Sequence, residues 1–534
     1  MRLRVDYRAS LSLVGTVLKY LVVPLLVPIV VAVVYGETVV PFVVTMLVTL
    51  SLGLGLERLR PDPDIGAREG FLMVAATWFA VAVVGAIPYL VEAWGIPLLV
   101  DPVHPTSTLR SPANALFESM SGFTTTGATV LGDISFGTHT RGIMLWRQLT
   151  QWLGGMGIVV LAVAILPELS VGGAQLMDAE APGPGIEKLS PRIAETARAL
   201  WGAYLGFTLL EILLLYGLHV FGMAPNMTAY NAIAHGLTTM PTGGFSPEAR
   251  SIEAFSAAVQ WVIVPFMIAA GTNFALFWHV LTGEPRRLIE DSEFKFYVGV
   301  LGVLSGLIAL LLFTGDAVLA SAPTAGTFDQ AYLDRFRSLI VSDAEASLRQ
   351  SVFQVVSIVT TTGYASMDFN AWSPLGQYLL LFAMFIGGSA GSTGGAVKIV
   401  RWYVILKSIR RELFTTAHPD AISPVRLGGR ALDERAIRGI YAFTLLYLVA
   451  FFVGTGLLFL DAGRIGQSLS VLETMSAVAA TLGNVGPGFG VVGPMGSYRS
   501  FSDAGKTFMI VLMWIGRLEI LPVLVLLTPG YWRR

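Results

Sequence analysis

The residues of this chain with the clearest chemical potential are threonines and glycines that recur in one short phrase. The phrase reads "FTTTGAT" at 123–129 and "VTTTGYA" at 359–365, with related wording at 240–246 ("MPTGGFS") and 482–488 ("LGNVGPG"). Each copy ends an apolar stretch shorter than the roughly 20 residues that a membrane-crossing helix needs. The glycines that the four copies share are Gly127, Gly243, Gly363 and Gly486, which lie 116, 120 and 123 residues apart. In the fourth copy Gly483 is the competing choice.

Such a phrase can bind a dehydrated cation. Backbone carbonyls arranged in a ring replace the water shell of an ion, and glycine accepts the left-handed dihedrals that direct a carbonyl toward an axis. The threonine hydroxyls can hold the loop or add another ring of oxygens. A single copy could equally be an outer turn, whereas four copies at matched places favour a set of loops that line a cation pore. The candidate filter residues are Thr125, Thr126, Gly127, Thr242, Gly243, Thr361, Thr362, Gly363, Asn484, Val485 and Gly486.

The composition indicates that these loops are set in a membrane protein. Of the 534 residues, 54% are hydrophobic and 13% are charged, against about 25% charged in an ordinary soluble protein. The mean hydropathy is +0.67. The net charge of −1 gives no indication of nucleic-acid binding, and the lack of cysteine excludes disulfides and thiolate metal sites. No paired metal motif appears, and "GFGVVG" at 488–493 lacks the strand–turn–helix context of a dinucleotide site. We therefore predict neither an enzyme nor a cofactor in this chain.

Apolar runs predict ten membrane spans. Between some of these spans lie apolar stretches that are too short to cross the membrane. The predicted spans are 11–35, 37–56, 71–93, 142–167, 198–222, 255–282, 294–315, 374–405, 437–460 and 502–527. The short stretches are 112–130, 228–245, 347–365 and 470–488. Lysine and arginine in the short loops, eight of them between Arg401 and Arg438, place both termini in the cytoplasm. Every short stretch then enters from the outer side of the plasma membrane.

The pattern predicts an all-α membrane protein with two N-terminal helices and four repeats around one pore. Each repeat is a span, a half-helix, a filter loop and a second span. Irregular backbone at membrane depth requires protein or water to satisfy it, and four loops around one axis meet that requirement. The predicted domains are 1–69 (two extra helices), 70–190, 191–290, 291–430 and 431–534 (repeats 1 to 4).

The eighth span is interrupted by a glycine-rich segment, "GGSAGSTGGA" at 387–396. Each glycine costs a helix about 1 kcal/mol relative to alanine, so this segment is a poor helix. It is either a seam for close helix packing or an intramembrane loop that blocks the pore below the filter. The candidate gating residues are Gly387, Gly388, Gly391, Gly394 and Gly395, together with Arg517.

Five charged residues need a location. A charge in a span must face protein or water, so Arg517 either lines the pore or pairs with a distant carboxylate. Its neighbour Glu519 is two residues away and faces elsewhere. Lys398 and Arg401 are interpreted as anchors that reach the interface, with the gating segment as the alternative partner. Glu118 and Glu473 are expected to hold the half-helices or to add negative potential at the mouth.

These features together resemble the Trk/Ktr/HKT superfamily of potassium transporters, most closely the Trk-type membrane subunit. The similar wording covers nearly the whole chain and includes "NALFESMSGFTTTGAT" (114–129), "FIGGSAGSTGGAVKIVR" (385–401) and "WIGRLEILPVL" (514–524). The second and fourth loops depart from it, with "MPTGG" and "GNVGPG". The resemblance implies potassium uptake, a gating role for the glycine-rich segment and for Arg517, a homodimer, and a cytosolic nucleotide-binding regulatory subunit of the TrkA/KtrA type. Glycine in all four filter positions favours potassium, because serine in the first marks sodium-selective relatives.

Two other functions remain open from the sequence. A proton- or sodium-coupled potassium symporter with alternating access usually shows inverted repeats and helices broken at the midplane, whereas these repeats are parallel. A receptor or scaffold without transport would have no use for polar loops inside the membrane.

Overall fold

The computed structural model describes residues 5–59, 66–96, 106–165, 193–322 and 328–532. The chain is helical almost throughout. In the described ranges it has two strands of two residues each, Arg426–Leu427 and Arg430–Ala431, which pair antiparallel. The predicted boundary between repeats 1 and 2, at 190/191, lies outside the described residues, as does the end of the predicted span 142–167.

The N-terminal part and the four repeats follow one another along the chain. The N-terminal helices are Tyr7–Leu21, Leu26–Tyr35 and Val40–Glu57. The helices of repeat 1 are Ala67–Gly85, Ile87–Trp94, Pro112–Phe123 and Arg141–Ile165. Those of repeat 2 are Ile193–Val220, Ala229–Thr239, Ala257–Ala270, Phe274–Leu281 and Arg286–Glu290. Those of repeat 3 are Ser292–Thr314, Gln330–Ile340, Ala344–Val359, Pro374–Ala383 and Ile399–Ala417. Those of repeat 4 are Glu434–Arg464, Val471–Leu482, Asp503–Arg517, Leu521–Leu526 and Pro529–Trp532. Short 3-10 turns cover Thr108–Arg110, Ser251–Ala254, Phe369–Ala371, Gly490–Val492 and Tyr498–Ser500.

The short stretches between spans form buried half-helices. Half-helices 1 to 4 are Pro112–Phe123, Ala229–Thr239, Ala344–Val359 and Val471–Leu482. Nine of the twelve residues of half-helix 1 are buried, whereas six of the 23 residues in the long helix Ser292–Thr314 are. The half-helices therefore lie in the interior of the molecule, and long helices such as Ser292–Thr314 lie on its lipid-facing rim.

Local sequence explains where the half-helices begin. Pro112 stands in the first turn of half-helix 1, where its missing N–H costs nothing. The carboxylate of Asp343 accepts the Ala346 N–H at 2.8 Å and caps half-helix 3. Ser470 and Glu473 form a capping box at the start of half-helix 4.

Six helical segments of the described chain are long and apolar enough to cross a membrane, and a bent pair makes a seventh. The chain is thus a multi-pass membrane protein. The bent pair lies in the predicted span 255–282, which the structure breaks at 271–273 with a bend of 100°. The predicted span 502–527 is also interrupted, at 518–520, where Glu519 and Ile520 have φ of 55° and 61°. The prediction of two continuous spans at these places is wrong.

Candidate functional site

The four loops that follow the half-helices share one backbone conformation. Loop 1 is 124–129, loop 2 is 241–246, loop 3 is 360–365 and loop 4 is 483–488. In each loop a residue with left-handed φ is followed two positions later by a glycine with positive φ. The first residues are Thr125, Thr242, Thr361 and Asn484, with φ of 51°, 55°, 59° and 53°. The glycines are Gly127, Gly244, Gly363 and Gly486, with φ of 80°, 76°, 77° and 105°.

Hydrogen bonds to the half-helices fix the same register. In every loop the N–H between the two positive-φ residues donates to the carbonyl five positions earlier. The bonds are Thr126 to Ser121 (2.8 Å), Gly243 to Thr238 (2.9 Å), Thr362 to Ser357 (2.8 Å) and Val485 to Ala480 (2.8 Å). Gly244, and not Gly243, is therefore the counterpart of Gly127, so the sequence register of loop 2 was wrong by one residue. In loop 4 the counterpart is Gly486, while Gly483 ends half-helix 4 with φ of −83°.

The four glycines close the loops into a ring. A methyl group added at any of them would strike a carbonyl oxygen of the next repeat, and the fourth repeat returns to the first. Measured from the added carbon, the carbonyl oxygen of Gly243 is 2.2 Å away at Gly127, and that of Thr362 is 1.9 Å away at Gly244. The oxygen of Val485 is 2.1 Å away at Gly363, and that of Thr126 is 2.6 Å away at Gly486. Glycine is needed at these positions for space as well as for dihedral angle.

A cavity of about 50 Å³ lies at this ring and is lined by all four glycines. It shares Thr129, Ile134, Ala249, Pro494 and Gly496 with a neighbouring cavity of about 800 Å³, whose lining includes Asp133 and Glu473. Within the described ranges, no group of three or more histidine or carboxylate side chains could hold a metal ion. Loop residues line the small cavity together with others, among which Glu248, Ser251 and Tyr498 also carry side-chain oxygens.

The threonine hydroxyls stabilise loops 1 and 3. Thr124 bonds Thr126 through their hydroxyls at 2.7 Å, and Thr360 bonds Thr362 in the same way at 2.7 Å. In loop 4, where Val485 has no hydroxyl, the amide of Asn484 donates to the Thr126 hydroxyl at 2.9 Å. A side chain of one loop thus holds the next.

An ion pair holds loop 1 against its own repeat and the next. Glu118 is fully buried and accepts from Arg147 at 2.6 Å, from the Thr129 hydroxyl at 2.9 Å and from the Val130 N–H at 2.9 Å. Arg147 also donates to the carbonyl of Ser246, in loop 2, at 3.1 Å. Glu473 accepts from the Ser470 and Val491 N–H groups at 2.8 and 3.1 Å. Glu118 thus holds loop 1, and Glu473 holds the start of half-helix 4.

The glycine-rich segment, residues 387–396, lies against loops 3 and 4. The Gly395 N–H donates to the Thr361 hydroxyl at 2.7 Å, and the Ala396 N–H donates to the Gly483 carbonyl at 2.9 Å. The Thr393 hydroxyl donates to the Met240 carbonyl at 3.0 Å, immediately before loop 2. The segment therefore contacts three of the four repeats next to the ring.

The same segment explains the bend in repeat 2. The Ser389 N–H donates to the Gly271 carbonyl at 2.8 Å, and the Gly391 carbonyl accepts from the Phe274 N–H at 3.2 Å. Asn273 caps the helix that restarts there, accepting from the Ala275 N–H at 2.9 Å. Backbone groups left open by the break are satisfied by another part of the protein, as a membrane interior requires.

Arg517 connects the segment to repeat 1. Its guanidinium donates to the Thr393 carbonyl at 2.7 Å and to the carbonyls of Gly154 and Gly155 at 3.1 and 3.2 Å. The contacts join the end of a helix in repeat 4, the segment in repeat 3 and the second span of repeat 1.

The prediction that Lys398 and Arg401 reach the membrane interface is wrong, since both are buried. The ammonium of Lys398 donates to the Gly394 carbonyl. The guanidinium of Arg401 pairs with Glu519 and lies 3.7 Å from the centre of the Phe443 ring. Glu293, near the start of the first helix of repeat 3, accepts the Ala390 N–H at 2.7 Å. Charged side chains therefore hold a segment that has little helix propensity of its own.

The chain is similar to known proteins along its whole length. The model of the TrkH family, described as cation transport protein, matches residues 40–532. The Trk system potassium uptake protein TrkH of Escherichia coli K12 is 37% identical over 473 residues, covering 88% of this chain and 87% of that protein. The protein of the same name from Vibrio parahaemolyticus is 36% identical and covers 99% of this chain and 100% of its own. The crystal structure of the potassium transporter TrkH from Vibrio parahaemolyticus matches with a TM-score of 0.77 and 34% identity, over 99% of this chain and 100% of that one.

Proposed function

The chain belongs to the TrkH family of cation transport proteins, and on that premise we propose that the ring of loops is the filter of a potassium-uptake pore. The function is potassium uptake by a Trk-type transporter. A transport role, rather than catalysis, accounts for the four-loop site. The filter comprises the eleven predicted residues together with Gly244, which takes the place first given to Gly243.

The observation that carries this proposal is the closed ring of glycine–carbonyl contacts. Each loop is held by its neighbour, so the oxygens at the cavity cannot move independently. Carbonyl oxygens held around one axis can replace the water shell of a dehydrated potassium ion. The half-helices end at Phe123, Thr239, Val359 and Leu482, directly before the loops. Their C-terminal ends carry partial negative charge, which favours a cation there.

The glycine-rich segment is proposed as the gate. It lies next to the ring, and it is held there by Lys398, Glu293, Arg517 and the Thr361 hydroxyl. A chain that transports ions on demand needs a two-state element whose balance a partner can shift. The proposed partner is a cytosolic nucleotide-binding subunit of the TrkA/KtrA type acting on a homodimer with cytoplasmic termini. The basic stretch from Lys407 to Arg438, which includes the end of one helix and the start of the next, faces it in this arrangement.

Serine substitution of two ring glycines tests the filter. Gly127→Ser and Gly363→Ser each place atoms where a carbonyl of the next repeat lies, at 2.2 and 2.1 Å from the added carbon. The expected result is a lower ratio of potassium to sodium tracer uptake in liposomes. Gly222→Ser is the matched control, because Gly222 also has positive φ, 72°, but has nothing within 4 Å of the added carbon. An unchanged ratio in both ring variants would show that these loops do not select the ion.

A further inference from the structure

Loop 2 lacks a side chain at the position where the other loops have one. Thr126, Thr362 and Val485 occupy this position in loops 1, 3 and 4, and Gly243 occupies it in loop 2. The residue two positions earlier is Thr124 in loop 1 and Thr360 in loop 3, but Pro241 in loop 2. The hydroxyl pair that stabilises loops 1 and 3 therefore cannot form in loop 2.

The side chain of Gln151, from the second span of repeat 1, lies in the vacant space. A carbon added at Gly243 would lie 2.4 Å from the Gln151 side-chain carbonyl carbon and 2.4 Å from its oxygen. The carboxamide nitrogen donates to the Gly243 carbonyl at 2.7 Å, and its oxygen accepts from the Phe245 N–H at 3.0 Å. Gln151 is fully buried. The carboxamide of Gln151 thus fills the space. It also binds the backbone on both sides of Gly244, at the Gly243 carbonyl and at the Phe245 N–H.

Gly243 and Gly244 are glycine for different reasons. Gly244 has φ of 76°, and a carbon added to it would lie 1.9 Å from the Thr362 carbonyl oxygen. Gly243 is absent from the residues with positive φ, and the three atoms nearest its added carbon all belong to Gln151. A larger residue at 243 is therefore opposed by the Gln151 side chain and not by backbone conformation.

We infer that Gln151 is a positioning residue of the filter, supplying from the neighbouring repeat the side chain that loop 2 lacks. It acts through the Gly243 carbonyl, the oxygen that lies against Gly127 in the ring. Because that contact joins loop 1 to loop 2, a shift of the Gly243 carbonyl moves both loops. This role rests on the proposed function of the ring as a potassium filter.

The inference makes Gln151 and Gly243 one unit whose substitutions are not independent. Gln151→Ala removes both hydrogen bonds, and Gly243→Ala drives the carboxamide away and removes the same two. If the bond to the Gly243 carbonyl forms only in the potassium-selective position of that oxygen, its loss lowers the potassium-to-sodium uptake ratio about tenfold. Once Gln151→Ala has opened the space, adding Gly243→Ala has nothing more to disrupt. The double variant should therefore retain the ratio of Gln151→Ala alone, whereas independent sites would multiply their effects.

The experiment measures potassium and sodium tracer uptake by purified protein in liposomes for Gln151→Ala, Gly243→Ala and their combination. Gly244→Ala, with and without Gln151→Ala, is the matched control, since its obstacle is the Thr362 carbonyl and Gln151→Ala cannot relieve it. Thermal unfolding in detergent is recorded for every variant. If Gly243→Ala does not insert, the restoration of insertion by Gln151→Ala supports the same pairing.

Two results would overturn the inference. One is a double variant whose loss is the product of the two single losses, and the other is a Gln151→Ala protein with the parent ratio. The filter itself is tested separately by Gly127→Ser and Gly363→Ser. If those lower the ratio while the Gln151 variants do not, the filter stands and this role of Gln151 fails. If the serine variants leave the ratio unchanged, the filter assignment fails, while coupling in thermal unfolding still reports on the pair.

Discussion

Arg517→Ala should raise basal potassium flux, because the arginine ties the glycine-rich segment in place. Its bond to the Thr393 carbonyl, at 2.7 Å, restrains the segment directly. Its bonds to Gly154 and Gly155, at 3.1 and 3.2 Å, anchor the arginine to the second span of repeat 1. Removing the guanidinium releases the segment from that span.

The structure sets the size of the effect. A hydrogen bond from a charged group contributes about 1.5–3 kcal/mol, and one such bond, to Thr393, holds the segment itself. If it forms only in the closed conformation, its loss shifts the closed-to-open ratio by roughly tenfold to hundredfold. Basal flux should rise by that factor until the open state dominates. The potassium-to-sodium ratio should stay at its parent value, since Arg517 makes none of the ring contacts between glycines and carbonyls.

The assay is tracer potassium uptake into liposomes without any regulatory partner. Arg517→Lys should give an intermediate flux, since an ammonium cannot reproduce the planar fork of a guanidinium. Arg464→Ala is the surface control, because Arg464 is exposed and pairs with Asp461 at the end of its helix. An Arg517→Ala protein that inserts and unfolds like the parent, yet transports no faster, would show that the arginine is structural and does not restrain a gate.

Two further variants separate gating from stability. Lys398→Met keeps the aliphatic part of the side chain but loses the bond to the Gly394 carbonyl. Basal flux should therefore rise about tenfold with unchanged selectivity. A basal flux equal to that of the parent would show that Lys398 does not restrain the gate. Glu118→Gln breaks the buried pair with Arg147 and should destabilise the protein by about 3–5 kcal/mol, seen as a lower midpoint of thermal unfolding. Glu412→Gln, at an exposed pair, should shift that midpoint little, and equal shifts in both would contradict the structural role of Glu118.

The sequence located the loops but could not set the register of the second. In loops 1 and 3, three threonines precede one glycine, so the glycine is identified by its neighbours. Loop 2 has two adjacent glycines after one threonine, and pairing its Thr242–Gly243 with Thr126–Gly127 gave the wrong residue. The left-handed residue is Thr242, and its counterpart is Thr125. That correspondence depends on hydrogen bonds to the half-helix, which the order of letters does not reveal.

The broken spans and the buried cations escaped prediction for a related reason. The break at 271–273 lies in an apolar run, and the groups that satisfy its backbone come from Ser389 and Gly391. Lys398 and Arg401 follow an apolar stretch and precede a basic loop, as interfacial anchors do. Their partners, the Gly394 carbonyl and Glu519, become visible only when the segment and the fourth repeat are placed together. The missing side chain at Gly243 was a signal that another residue fills this space. That residue, Gln151, lies 92 positions earlier in the chain, so the sequence alone does not connect the two.

The symmetric and asymmetric parts of the molecule suit different tasks. The four loops repeat the same dihedral pattern and the same glycine–carbonyl contacts, so each is fixed by two neighbours and the ring has little freedom to rearrange. The helices that follow them differ: the first runs unbroken over Arg141–Ile165, the second bends by 100°, and the third gives way to the glycine-rich segment. That segment is held by backbone bonds to Gly271, Phe274 and Gly483 and by side-chain contacts from several elements. Each of the side-chain contacts can be lost without unfolding a helix. A partner that shifts one of those elements by a small amount can therefore alter the segment while leaving the ring unchanged. For this reason we expect variants of the ring to change which ion passes, and variants of the contacts around the segment to change how much passes.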